Sequence, residues 1–113
     1  MHPNSIRALA IVSYLLLPGW FFAFLINNSR PTKFATFHVR QSFGIMGLST
    51  LVVMIIGLIN FLTSSPILSL ILIAVGILPM IVLWFLGILS ALQGKIKPIP
   101  VVGISFQKWF AGL

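Results

Sequence analysis

The sequence predicts an all-α integral membrane protein: three transmembrane helices and a short interfacial C-terminal tail, in a single domain over residues 1–113. Three observations predict it. The chain is 59% hydrophobic, its mean hydropathy is +1.17 and only 6% of its residues are charged, whereas a soluble domain of this length needs a charged surface. It contains no Asp and no Glu. Its apolar residues fall into three runs, 8–26, 43–62 and 67–92. Each is near or above the ~20 residues with which a helix crosses a ~30 Å hydrocarbon core. Helices are the expected form, because in lipid the backbone must satisfy its own hydrogen bonds.

The first run, 8–26, is apolar or small except for Ser13, Tyr14 and the Pro18–Gly19 pair, and Pro18 is expected to bend it. It is too long for a signal-peptide core and no A-x-A site follows, so it reads as a retained span. The segment "NNSRPTK" then turns the chain. The second run, 43–62, carries no charge and ends at "TSSP", a tight turn whose Pro66 suits the first turn of the next helix. The third run, 67–92, exceeds a straight crossing, which predicts tilt or a bend at Pro79. The tail, 93–113, is not a fourth span: Gly94 stops the helix, and Pro98 and Pro100 prevent its return. Val102, Phe106, Trp109 and Leu113 recur at helical spacing, with Trp109 beside Lys108 as at a headgroup level. This tail either lies on the membrane or docks a partner protein.

Three crossings place the first connection and the tail on one side of the membrane. Arg30, Lys33, Arg40, Lys95, Lys97 and Lys108 gather there, against Arg7 and His2 on the other. The positive-inside rule then predicts a multi-pass membrane protein with its N-terminus outside and its C-terminus in the cytoplasm. With no acid in the chain, the cations need outside partners: anionic headgroups of membrane lipids, or other membrane-protein subunits. Arg30, Lys33, Lys95, Lys97, Lys108 and Trp109 are the candidates for these contacts. Nucleic acid is set aside, because the basic residues lie beside apolar spans and form no dense patch.

Small residues mark where membrane helices approach closely. Gly47, Thr50 and Gly57 fall near one face of the second helix; Ser69, Gly76 and Ser90 form a stripe on the third, and Gly87 with Ala91 a small-xxx-small pair. These faces join the helices to each other, or leave surface for other chains. The missing acids exclude paired-carboxylate chemistry, a Ser-His-Asp triad and a carboxylate for proton-coupled transport. No catalytic residue and no metal site is therefore expected. The two histidines, His2 and His38, belong to opposite expected faces.

One polar cluster remains, "FHVRQSFG", at the start of the second span. On a helix beginning near Phe34, His38 and Gln41 are neighbours, while Arg40 lies on another face. The cluster reads as a helix-end cap that fixes depth, as a recognition site for a partner, or, through His38, as an axial ligand to a haem or chlorophyll-type macrocycle. Its expected cofactor is none, with that macrocycle as the alternative.

"FATFHVRQSFG" and "ALQGKIKPIPVVG" resemble motifs of small bacterial membrane proteins of the TIC-twenty-like family, related to the chloroplast inner-envelope import machinery. The F-H-x-x-Q opening is matched by Phe37, His38 and Gln41. The later exit is matched by Ala91, Leu92, Gly94, Lys95, Pro98, Pro100 and Gly103, and the Ser13–Tyr14 pair followed by a proline also fits. The resemblance implies an all-helical inner-membrane protein and, by analogy, a transport or protein-translocation component. The chloroplast proteins are described with four spans, against three here. The residues themselves favour a non-catalytic accessory subunit of a larger inner-membrane complex.

Overall fold

The computed structural model describes residues 3–113, and His2 lies outside them. The chain runs α1 (Pro3–Val12), α2 (Leu16–Ser29), α3 (Lys33–Thr63), α4 (Pro66–Leu72), a π-helical segment (Ile73–Ile77), α5 (Leu78–Leu92) and α6 (Gly103–Trp109), with no strand among the described residues. Two helices are long and apolar enough to cross a membrane: Lys33–Thr63 and the continuous rod Pro66–Leu92. They form a hairpin that accounts for the long, 51 Å dimension of the molecule.

Local chemistry sets the ends of this hairpin. Thr32 caps α3 by accepting from the Ala35 N–H at 3.1 Å, and Ser65 caps α4 by accepting from Leu68 N–H at 3.3 Å. Between the two helices only Ser64 and Ser65 turn the chain; Ser64 takes a left-handed conformation at φ 52° and Pro66 starts the next helix. Asn60 and Ser69 then tie the two arms together, with Ser69 Oγ donating to Asn60 Oδ1 at 2.7 Å. Pro79 acts on the turn that precedes it. It removes the N–H that would bond the Val75 carbonyl, and the preceding turn widens into the π-helical segment. Gly76 in that segment lies against Val52 and Ile56 of α3, where an added Cβ would come within 3.0 Å of both side chains.

The expected first span over 8–26 is not one helix. α1 ends at Val12 and α2 starts at Leu16, so neither half has the length of a crossing. Pro18 is the cause: it has no N–H to bond the Tyr14 carbonyl four residues back. The orphaned carbonyl bonds the Trp84 indole instead, at 2.6 Å. Gly19 completes the reversal, because its missing Cβ lets α2 lie against the Val12 carbonyl.

The reversal is seen in what each half touches. Arg7 lies against Gly94, just past the end of α5, while Tyr14 lies against Gly87, one to two turns further into the bundle. Trp20 then bonds the Val39 carbonyl and Asn27 bonds Thr36, so α2 retraces α3 toward its start. α1 and α2 thus form a short hairpin that enters and leaves at the same end, sealed by Leu9, Trp20, Ala23, Ala35 and Val39. Arg7 was expected opposite the other cations; the structure brings all seven Lys and Arg residues to one end of the molecule.

The tail folds back on its own chain. Gly94, at φ +69°, ends α5 with bonds from Gly94 N–H to Ala91 O and from Lys95 N–H to Ser90 O, a Schellman closure. α6 then lies on the first half of α3, where Phe106 fills the notch left by the missing side chain of Gly44. Phe110 packs edge-on to Phe43, with ring centroids 4.8 Å apart. Of the expected apolar stripe, Phe106 is buried and Val102 and Leu113 are half-buried, but Trp109 stays 71% exposed beside Lys108.

Candidate functional site

The basic end of the bundle holds a buried polar chain. Ile99 N–H donates to Gln41 Oε1 at 2.9 Å, and Gln41 Nε2 donates to the Tyr14 hydroxyl at 2.8 Å. The hydroxyl lies 2.6 Å from His38 Nδ1, and His38 Nε2 lies 2.9 Å from the Lys95 carbonyl. The carbonyl can only accept, so Nε2 carries the proton. Nδ1 of the neutral ring then accepts, and the Tyr14 O–H donates to it. The direction of every bond is fixed by its neighbour, and a neutral His38 in the Nε2–H form satisfies all four.

Each member has a local reason to be there. Tyr14 occupies the break that Pro18 imposes between α1 and α2. His38 and Gln41 share a face of α3 one turn apart, and the Schellman closure at Gly94 turns the Lys95 carbonyl toward them. The chain therefore joins the α1–α2 hairpin, α3 and the segment after α5. Ser13, Tyr14, His38, Gln41 and Ser42 are all within 1% of full burial. Ser13 Oγ donates to the Ala10 carbonyl at 2.6 Å and Ser42 Oγ to the Val39 carbonyl at 3.1 Å. The aromatic rings of Phe34 and Phe37 close edge-on over the imidazole.

The sequence reading expected His38 and Gln41 together and Arg40 apart, and the structure does this. It adds that His38 and Gln41 meet through Tyr14 rather than directly. Arg40 turns to the tail, donating from Nη2 to the Ala111 carbonyl at 2.8 Å. An axial ligation of a macrocycle by His38 would have to break one of its two ring bonds. Arg30, Lys33, Lys95, Lys97, Lys108 and Trp109 are exposed around this end.

The packing residues divide. Gly76, Gly87 and Ala91 make close contacts inside the chain. Gly47, Thr50 and Gly57 do not: all three are exposed, an added Cβ at Gly47 or Gly57 would meet nothing within 4 Å, and Thr50 bonds back to Met46 of its own helix. The reason is that α3 turns Val52 and Ile56, not its glycine face, toward Gly76.

Comparison supplies no further assignment. No known protein family, curated protein or solved structure matches this chain. The members of the bonded chain are Tyr14, His38, Gln41, the Lys95 carbonyl and the Ile99 amide. Sequence reasoning missed Trp84, Trp20 and the Ile99 amide as members of this region. The signal available was that a Trp or Tyr inside an apolar run carries a polar atom that needs a partner.

Proposed function

We propose that the chain is a non-catalytic, membrane-embedded subunit of a larger inner-membrane assembly, with its basic end in the cytoplasm. The observation that carries this reading is the bare half of the long hairpin. Beyond the α1–α2 hairpin, the arms nearest the turn, 51–63 and 66–78, pack on each other and leave most of their apolar surface open. Leu51, Met54, Leu58, Phe61, Ile67, Leu70 and Val75 are all more than half exposed. Lipid covers such a face, and a second helix covers it better where Gly47 and Gly57 permit close approach. The orientation is supported by the gathering of all seven cations at one end, since two crossings return the chain to the side it left.

Extraction from native membranes in a mild detergent, followed by sizing and mass spectrometry, tests the reading. A stoichiometric membrane-protein partner is expected; a clean monomer sinks it. The translocation reading draws less support, because the buried polar groups bond one another and the groove between the α1–α2 turn and the long hairpin is lined mostly by apolar side chains. Conductance of reconstituted vesicles that is lost in a His38 variant verified to be correctly folded would restore it. An absorption spectrum of the purified chain decides the pigment alternative.

A further inference from the structure

A second feature of the basic end is not used by the polar chain. Between the start of α3, the 96 loop and α6 lies an open cavity of about 480 Å³, with Lys33, Thr36 and Arg40 on one helical face and Thr32 and Gln107 beside them. Its lining offers donors in excess. The Thr32 and Thr36 hydroxyl oxygens already accept bonds, from Ala35 N–H and from Asn27, so their protons are left to donate. Arg40 Nε is buried without a partner among the described residues. The guanidinium as a whole therefore keeps unused donor capacity beside the cavity that Arg40 lines. Lys33 stands in the first turn of α3, where the helix dipole opposes a cation, and the sequence has no Asp or Glu side chain to offset it.

We propose that this cavity binds a phosphate group, engaged by Arg40 and Lys33 and by the Thr32 and Thr36 hydroxyls. A phosphate suits the lining because its several acceptor oxygens take charge-assisted bonds from guanidinium, ammonium and hydroxyl together. The cavity opens at the end where the membrane orientation proposed above puts the headgroups. The lipid source of the phosphate rests on that orientation, whereas the phosphate chemistry does not. Phe37 and Ile96 supply an apolar wall on which a glycerol backbone can lie.

The full-length chain, purified in a neutral detergent, is titrated with phosphatidylglycerol, with phosphatidylcholine and with inorganic phosphate, and bound adducts are counted by native mass spectrometry. One tight phosphatidylglycerol adduct per chain is expected. Arg40→Gln and Lys33→Gln each weaken it about fivefold, the effect of one cation near a phosphate surface, while Lys108→Gln, outside the cavity, leaves it unchanged. Arg40→Gln also loses its bond to Ala111, so Lys33→Gln is the variant that reads the site without touching the α6 contact. Binding of inorganic phosphate with the same dependence on Lys33 supports the site and assigns it to a free anion. Equal loss in Lys108→Gln and Lys33→Gln overturns the proposal in favour of a diffuse basic surface, as does undiminished binding in Lys33→Gln.

Discussion

The two ends of the long hairpin are built on opposite principles. At the basic end, α1, α2 and α6 pack on α3 and α5 packs on α1 and α3, and Tyr14, His38 and Gln41 are sealed with every polar atom of the chain between them bonded. At the far end the same two helices stand alone, tied by one Asn60–Ser69 bond and the Gly76 contact, and Phe61 is 83% exposed. The first end gains its order from its own chain. The second exposes side chains that only lipid or another protein can cover. On the reading proposed above, folding and assembly fall to separate halves, so substitutions in the two should fail in different assays.

The largest effect is expected from His38→Ala. It leaves the buried Tyr14 O–H without an acceptor, which costs about 1–3 kcal/mol, takes one of two donors from the Lys95 carbonyl, which keeps the Ser90 hydroxyl, and adds a cavity. Unfolding in mixed micelles should shift by roughly 3 kcal/mol or more; a shift below about 1 kcal/mol would break the claim that the polar chain holds this end together. Tyr14→Phe keeps the ring against Gly87 but removes the central hydroxyl, and about 1–3 kcal/mol is expected from the same measurement.

Gly44→Leu acts on the tail. The new side chain takes the space of Phe106, so α6 should leave α3 at a cost of about 1–3 kcal/mol, and limited proteolysis should cut the tail faster. An unchanged cleavage rate would show that α6 does not need the Gly44 notch. Val101 is smaller still. It is exposed and held at φ 73°, where a β-branched residue is strained, so Val101→Gly should stabilise the basic end by about 1 kcal/mol in the micelle assay.

The far end should respond in reverse. Gly57→Leu meets no neighbour in the chain, so the isolated protein should unfold within about 0.5 kcal/mol of the original. Recovery of the membrane partner should nonetheless fall. If stability drops while partner recovery holds, the division between the two halves is wrong.

Much of this was legible along the chain. Pro66 marks a helix start by local chemistry, Gly94 marks a helix end, and the long apolar runs mark the hairpin, because each depends on residues within a few positions. The separation of Arg40 from His38 and Gln41 follows from helical phase alone. The Pro18–Gly19 pair was legible only as an interruption. Whether a proline bends a helix or reverses it depends on where the freed carbonyl finds a donor, and that donor, Trp84, lies 70 residues away. The charge count was read correctly as an asymmetry, yet Arg7 was placed at the wrong end because a reversed segment and a crossing have the same composition. By itself, then, the sequence determined an all-helical, membrane-class chain without carboxylate chemistry, and the residues that cap and break its helices. Only the tertiary structure decided that the first apolar run turns back, that Tyr14 bridges His38 to Gln41, and that the glycine face of α3 looks outward. Each of these is a choice among partners distant in sequence, and a polar atom in an apolar bundle is satisfied by whichever partner the packing brings within 3 Å.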